Sequence, residues 1–279
     1  MFKKFFKLSL ILLLYQSPLY SKNITLNDFN TRYLSNYFSG IVAYNNLSNS
    51  EALKFFKSSK FLIRKHTPYL ERYVYSLVLE GKVKQATNEI KQNLTDNNSI
   101  FFEAHLILAL ESLQNKNYKK SKEHLLRSYA FIENDRISLI IVETLRQYLH
   151  VFENKKILNT ENKFGNFSFI NEVFQRCYLD DENTKTYFEN LINNTNDTDY
   201  SRYIFFYVNY LVENGRGNEA NIITDELNYL NSSLLISQTK YWVESLKLGE
   251  FEKIFSCKNP NDIVSELFFL VANLYSSES

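Results

Sequence analysis

The side chains able to do chemistry are few and scattered. Four histidines are present, His66, His105, His124 and His150. None belongs to an HExxH, HxH or CxxC arrangement, so the sequence offers zinc no ligand set. His105 follows Glu103 by two positions and His124 follows Glu123 by one, and helical residues that close in sequence do not face one another. His66 precedes Thr67 and Pro68 at a boundary between helical stretches, where packing or capping is its expected role. No GxxxxGK[ST], GxGxxG or GxSxG run is there to cradle a phosphate or present a nucleophilic serine. The acidic pairs Asp180 with Asp181 and Glu133 with Asp135 fall where turns are expected, and carboxylates there cap the positive ends of helices. Asp197 and Asp199, in the Asn- and Thr-rich stretch 193–200, lack the ligand spacing and the glycine of a calcium loop. Lys116, Lys119, Lys120 and Lys122 form the densest basic cluster and read as the solvated side of a helix pair. The expectation is therefore a chain without catalytic residues, metal or cofactor.

Cys177 and Cys257 would be free to pair in an oxidising compartment. Two cysteines in 279 residues make no disulfide framework, however, and each lies in an apolar helical stretch. Two separately buried thiols are expected.

The elements that carry these residues are helices. An apolar share of 44% is enough for a core, while six Gly and three Pro are too few to punctuate an all-β chain of this length. The first residues stand apart. Lys3, Lys4 and Lys7 precede an apolar run at 8–14, and Pro18 follows before the small residue Ser21. That is the layout of a secretory signal, with cleavage expected after residue 21, and the run is too short for an ordinary membrane span. No lipoprotein-type cysteine follows. Removing 1–21 takes three Lys from the 32 basic residues, leaving 29 against 31 acidic ones. With no polybasic block and no aromatic-basic motif, nucleic acid is not an expected partner. Membrane contact is expected only through an uncleaved signal or a membrane-bound partner.

A period of about 34 residues runs through the rest. Apolar helices lead through a short turn to a small residue at Ala52, Ala86 and Ser121, and again at Ala220, with Ile254 marking a further unit 34 residues on. Counting back 34 from Ala220 gives Thr186. The interval from Ser121 to Thr186 fits two units, one of them degenerate. The polar stretch 154–166 locates it: 133–152 reads as a first helix with no second one, so the unit near 137–166 is incomplete.

This pattern resembles the tetratricopeptide repeat family. Gly40 and Ala109 match its early small position, Gly81, Gly215 and Gly249 its turn, and Tyr118 and Phe251 the aromatic after the turn. Ala52, Ala86 and Ala220, with Ser121 in the same place, match the small anchor of the second helix, and Phe56 its late aromatic. The resemblance implies an all-α solenoid, an α-α superhelix of antiparallel helix pairs over 22–279, exported and bacterial in type, with divergent repeats. It implies a non-enzymatic scaffold of the periplasm or cell envelope that binds another protein or peptide, with no small-molecule substrate. The family register places Tyr37, Ile41, Tyr44, Glu71, Tyr75, Val78, Leu106, Leu110, Phe205, Asn209 and Val212 on the concave groove, which would be apolar. For each of these, packing between repeats is the competing role. The other reading is an accessory part of a larger envelope, secretion or enzyme complex. It rests on the last helix, expected at 263–275 with Asp262 as its cap. That helix carries Leu267, Phe268, Phe269, Leu270 and Val271, an apolar surface unlike the polar face of a terminal repeat. Either further chain or a partner is expected to cover it.

Overall fold

Helices form where apolar residues recur at three- and four-residue spacing and the chain offers capping or small residues at the ends. The first four are α1 (Thr31–Asn45), α2 (Asn49–Ser58), α3 (Pro68–Leu79) and α4 (Val83–Asn93). The rest are α5 (Phe102–Gln114), α6 (Tyr118–Ser128), α7 (Arg136–Asn154), α8 (Asn166–Leu179), α9 (Thr184–Asn193), α10 (Ser201–Glu213), α11 (Gly217–Glu226), α12 (Leu234–Leu246) and α13 (Pro260–Glu278). The computed structural model describes residues 31–94, 101–132, 135–160, 164–193, 201–226, 234–246 and 255–278, and no strand occurs among them. The segment 1–21 expected to be a signal, Glu133, Asp197, Asp199, Gly249, Phe251 and Ile254 lie outside the described residues. The chain forms two compact units, Met1–Asp96 and Asn97–Ser279, where the sequence reading runs one repeat domain from 22 to 279.

One backbone device reverses the chain at five hairpins. Leu47, Gly81, Lys116, Asp180 and Gly215 all have φ between 58° and 72°. At each, that residue's N–H donates to the carbonyl three positions back, and the next N–H donates to the carbonyl five back, as in Leu47 to Tyr44 and Ser48 to Ala43. This closes the last turn of the first helix and satisfies its orphan carbonyls. Gly81 and Gly215 adopt the left-handed conformation freely, whereas the other three do so despite a Cβ.

The second helix of each pair is then placed by its anchor. Five residues after the left-handed residue come Ala52, Ala86, Ser121 and Ala220, all at most 1% exposed. Four further on, Phe56, Ile90, Leu125 and Thr224 are buried as well. At Asp180 the turn is one residue shorter, so the anchor is Thr184, with Phe188 buried four residues later. Thr186 is exposed. The count of 34 from Ala220 misses because that turn lost a residue and its left-handed position lies 35 before Gly215. The recurrence of turn, anchor and buried follower makes the chain an all-α, tetratricopeptide-like array of helix pairs.

In unit 1 the small residue of the first helix has a visible purpose. A Cβ on Gly40 would stand 2.9 Å from the Phe56 ring. That ring packs against Tyr37 and Tyr69, and Tyr69 Oη donates to the Phe56 carbonyl. In unit 2 the equivalent contact is polar: Ser121 Oγ donates to the Ala109 carbonyl at 2.8 Å.

Unit 2 contains the departure. Helix α7 opens on Asp135, whose carboxylate accepts from the N–H groups of Ile137 and Ser138. After Asn154 the described residues 155–160 and 164–165 form no helix, so α7 has no second helix and α8 follows directly. Helix α7 buries most of its surface, from Ile140 and Ile141 round to Glu143, Tyr148 and Phe152, and leaves a narrow stripe at Arg136, Leu139, Arg146, His150 and Glu153 less covered. Neighbours on several sides explain the wide burial: α6, α8 and α13 all pack against α7.

Two expectations are corrected here. The last helix packs part of its apolar surface within unit 2 and begins earlier than expected. Ile263, Val264, Leu267 and Val271 of α13 are buried within unit 2, leaving Phe269 and Tyr275 the more exposed. It starts at Pro260 rather than at 263. Asn259 caps it by accepting from Asn261 N–H, while Asp262 turns back to accept from Ser256 N–H. The cysteines are not separate: Cys177 of α8 and Cys257 are joined as a disulfide with their Cα atoms 5.6 Å apart. Their 80-residue separation hid the pairing, because only the return of α13 towards α7 brings Cys257 beside α8.

Candidate interaction surface

The residues expected to line a groove divide into three groups. Tyr37, Leu106 and Asn209 are buried. The Tyr37 ring is packed by Phe38, Phe56, His66 and Tyr69, with the His66 ring edge-on at 4.7 Å, so in unit 1 it belongs to the core. Leu106 belongs to the core of unit 2. Asn209 donates from Nδ2 to the Phe205 carbonyl at 2.8 Å, and its Oδ1 is buried without a partner. Ile41, Tyr44, Tyr75, Leu110, Phe205 and Val212 are half-buried, and of these Leu110, Phe205 and Val212 rest on the unit 2 core. Val78 is exposed. Glu71 is half-buried, and the Arg72 guanidinium lies 5.7 Å from the Tyr44 ring centre.

In unit 2 the first helices carry a resident segment of the same chain. Phe255 packs at 5.7 Å from Phe174 of α8 and 4.2 Å from Phe206 of α10. Glu266 of α13, almost wholly buried, accepts from Nε and Nη2 of Arg202 of α10 at 2.6 to 3.0 Å. The same guanidinium lies 3.8 Å from the centre of the Phe269 ring. Burial pushes the Glu266 carboxyl above its ordinary value in spite of Arg202.

Unit 1 has no such resident segment among its described residues, and it exposes apolar surface. Phe38 and Val42, one helical turn apart on α1, are 55% and 59% exposed. They line an open groove of about 540 Å3 with Ala43 and with Phe55 of α2, rimmed by Ser35, Ser39, Asn46 and Glu51. The repeat-packing residues Gly40, Ala52 and Phe56 are buried at the α1–α2 crossing, and Gly81 forms the turn between α3 and α4.

Sequence reasoning passed over two juxtapositions. His105 and His124 face each other across the α5–α6 hairpin at 6.0 Å between ring centres, and the Phe131 ring lies 5.6 Å from His105. Both Nδ1 atoms are buried without a partner. The signal was present: each stands about one helical turn further from the hairpin than the touching pair Ala109 and Ser121. A polar ladder also joins α7 to α8, with Tyr148 Oη donating to Asn171 and Asn171 Nδ2 donating to Thr144. These residues sit at core positions, where hydrophobic periodicity gives no warning of polarity. Tyr118, expected after the hairpin turn, is half-buried against Phe152. No group of three or more His, Cys, Asp or Glu suited to a metal exists among the described residues.

No protein-family model matches the chain, and no curated protein matches it. Among solved structures it is similar to one described as the crystal structure of the APC/C hetero-tetramer Cut9-Hcn1, with 15% sequence identity and a TM-score of 0.42. The likeness covers 79% of this chain and 44% of that one, so the chain spans less than half the length of the structure it resembles. The helix-pair assignment rests on the recurring turns and anchors of the chain itself.

Proposed function

We propose that the chain is an exported, non-enzymatic scaffold of the cell envelope that binds another protein or peptide through the apolar surface of unit 1. The observation that carries this reading is the α1–α2 groove, where Phe38 and Val42 stay open to solvent on one face. The outer hairpin of a repeat stack is normally polar there. Aromatic and aliphatic anchors inside a polar rim are the usual contents of a protein-binding hot spot. A partner segment that presents apolar side chains at i and i+4 would fit the spacing of Phe38 and Val42. Tyr44, Tyr75 and Ile41, half-buried, and Val78, exposed, are the further contacts assigned to the partner in this reading. The disulfide supports the export reading, since such bonds persist in oxidising compartments. Cleavage after Ser21 and residence in the periplasm belong to the same proposal.

The test is crosslinked capture from the envelope fraction with the full chain and two variants. Phe38→Ser with Val42→Ser should lose the partner while the far-ultraviolet circular dichroism stays unchanged. Tyr44→Ala with Tyr75→Ala should weaken capture less. Unaltered capture by the first variant would sink the assignment.

A further inference from the structure

The second helix missing after α7 leaves a gap beside α8, and residues 155–160 pass across it. Beneath them lies a cavity of about 190 Å3. Gln147 of α7 and Ser168, Glu172 and Gln175 of α8 line one side of it, and Ile157 and Leu158, followed by Asn159 and Thr160, line the other. Position for position, the facing surfaces of two packed helices call for leucine-like side chains, which would close the space. Here Gln147 and Gln175 are buried instead. A departure of that kind at core positions marks a functional site more often than a packing solution. The Thr144, Asn171 and Tyr148 ladder on the same two helices shows the contrast, because its side chains bond to one another.

The glutamines are not mutually satisfied. Gln175 Nε2 donates to Gln147 Oε1 at 3.2 Å, but Gln175 Oε1 is buried with no partner. An unmet buried acceptor costs about 1–3 kcal/mol, which a donor entering the cavity would recover. Charge fixes the kind of donor. Among the described residues of the lining Glu172 is the only ionised one, and no Lys, Arg or His stands with it. Arg176 binds Glu172 at 2.7 Å but also Asp181 at 3.0 Å, so this cluster of two carboxylates and one guanidinium keeps a net negative charge. Anions are disfavoured, and a positively charged donor is favoured. The apolar side chains of Ile157 and Leu158 suit methylene groups behind that donor.

We propose that this cavity binds a primary alkylammonium group, with the ammonium donating to Gln175 Oε1 and Glu172 and the alkyl chain lying along Ile157 and Leu158. Either a free amine or a lysine side chain of a bound polypeptide presents this chemistry. The site does not depend on the unit 1 groove.

The side-chain amide resonances of Gln147 and Gln175 report on it in the full chain at constant ionic strength. Titration with n-butylammonium should shift both to saturation, n-butanol should bind about tenfold more weakly, and butyrate should leave them unmoved. Glu172→Gln should weaken the ammonium about tenfold and leave n-butanol unchanged; Gln175→Leu should abolish both responses. Because the leucine variant can disturb the hairpin, the half-exposed Glu172 position is the decisive one. Blocked lysine (Nα-acetyl, N-methylamide) binding at least as tightly as n-butylammonium would assign the site to a lysine side chain. Saturation by n-butylammonium alone would assign it to a free amine. Equal responses to n-butylammonium and n-butanol, or no response to either amine in folded protein, would overturn the proposal.

Discussion

At Gly40 the chain has no room for a methyl group. The Phe56 ring that a new Cβ would meet is fully buried, and Tyr37 and Tyr69 hold it from other sides, so it cannot swing away. Gly40→Ala is therefore expected to destabilise unit 1 by about 1–3 kcal/mol, the range for overpacking a closed core, although alanine is the better helix former. Urea titration followed by circular dichroism checks it; a variant as stable as the parent would mean that the helices separate without strain. The anchors Ala52, Ala86, Ser121 and Ala220 were legible in the sequence for this same reason, since close helix crossings tolerate only small residues. The left-handed turns at Leu47, Lys116 and Asp180 were not. Nothing in a leucine, lysine or aspartate announces a positive φ, and the position shows itself only by its distance from the next anchor.

Between elements, the α5–α6 hairpin carries a built-in pH response. Burial, the His105 ring and the charges of Lys120 and Arg127 lower the His124 pKa to about 4, and burial and Arg127 lower that of His105. Both folded values lie below the ordinary value near 6.5, so the unfolded chain takes up protons first. The stability these neutral rings allow is present above about pH 6.5 and is lost as pH falls towards 4. The loss should be on the order of 1–2 kcal/mol, discounted from about 1.4 kcal/mol per pKa unit. Melting temperatures at pH 7 and pH 4.5, measured for the parent and for His124→Gln, test it. The variant should show the smaller difference, and equal differences would remove the histidines from the account. At this scale the helices themselves were readable from periodicity. What α7 touches was not, because the polar residues at 154–166 told only that a helix was missing and left unsaid what took its place.

For the whole molecule, the disulfide is the contact that sequence reading judged wrongly. Cys177 and Cys257 meet because Phe255 seats between α8 and α10 and α13 then runs back against α7, an arrangement no local pattern encodes. Closing an 80-residue loop restrains the unfolded chain by about 2–4 kcal/mol. Replacing both cysteines by serine should lower the unfolding midpoint of unit 2 accordingly. The chain's single tryptophan, Trp242, lies in that unit, so its fluorescence follows this transition selectively. An unchanged midpoint would mean that the bond only records proximity. Of the residues that the family register put on a groove, Tyr37 and Leu106 are core. In unit 2 Glu266 and Phe255 pack on the first helices. In unit 1 the exposed apolar residues Phe38 and Val42 lie one position beyond Tyr37 and Ile41, which periodicity alone did not single out.

A stack whose hairpins touch only their neighbours can grow by accretion, each new pair docking on the last as it emerges during synthesis. The packing of α13 on α7 denies unit 2 that route. One flank of α7 stays uncovered until everything from α8 to α12 has been made and α13 has arrived. The apolar side chains on that flank are open for the whole interval, and surface left open in this way is prone to aggregation.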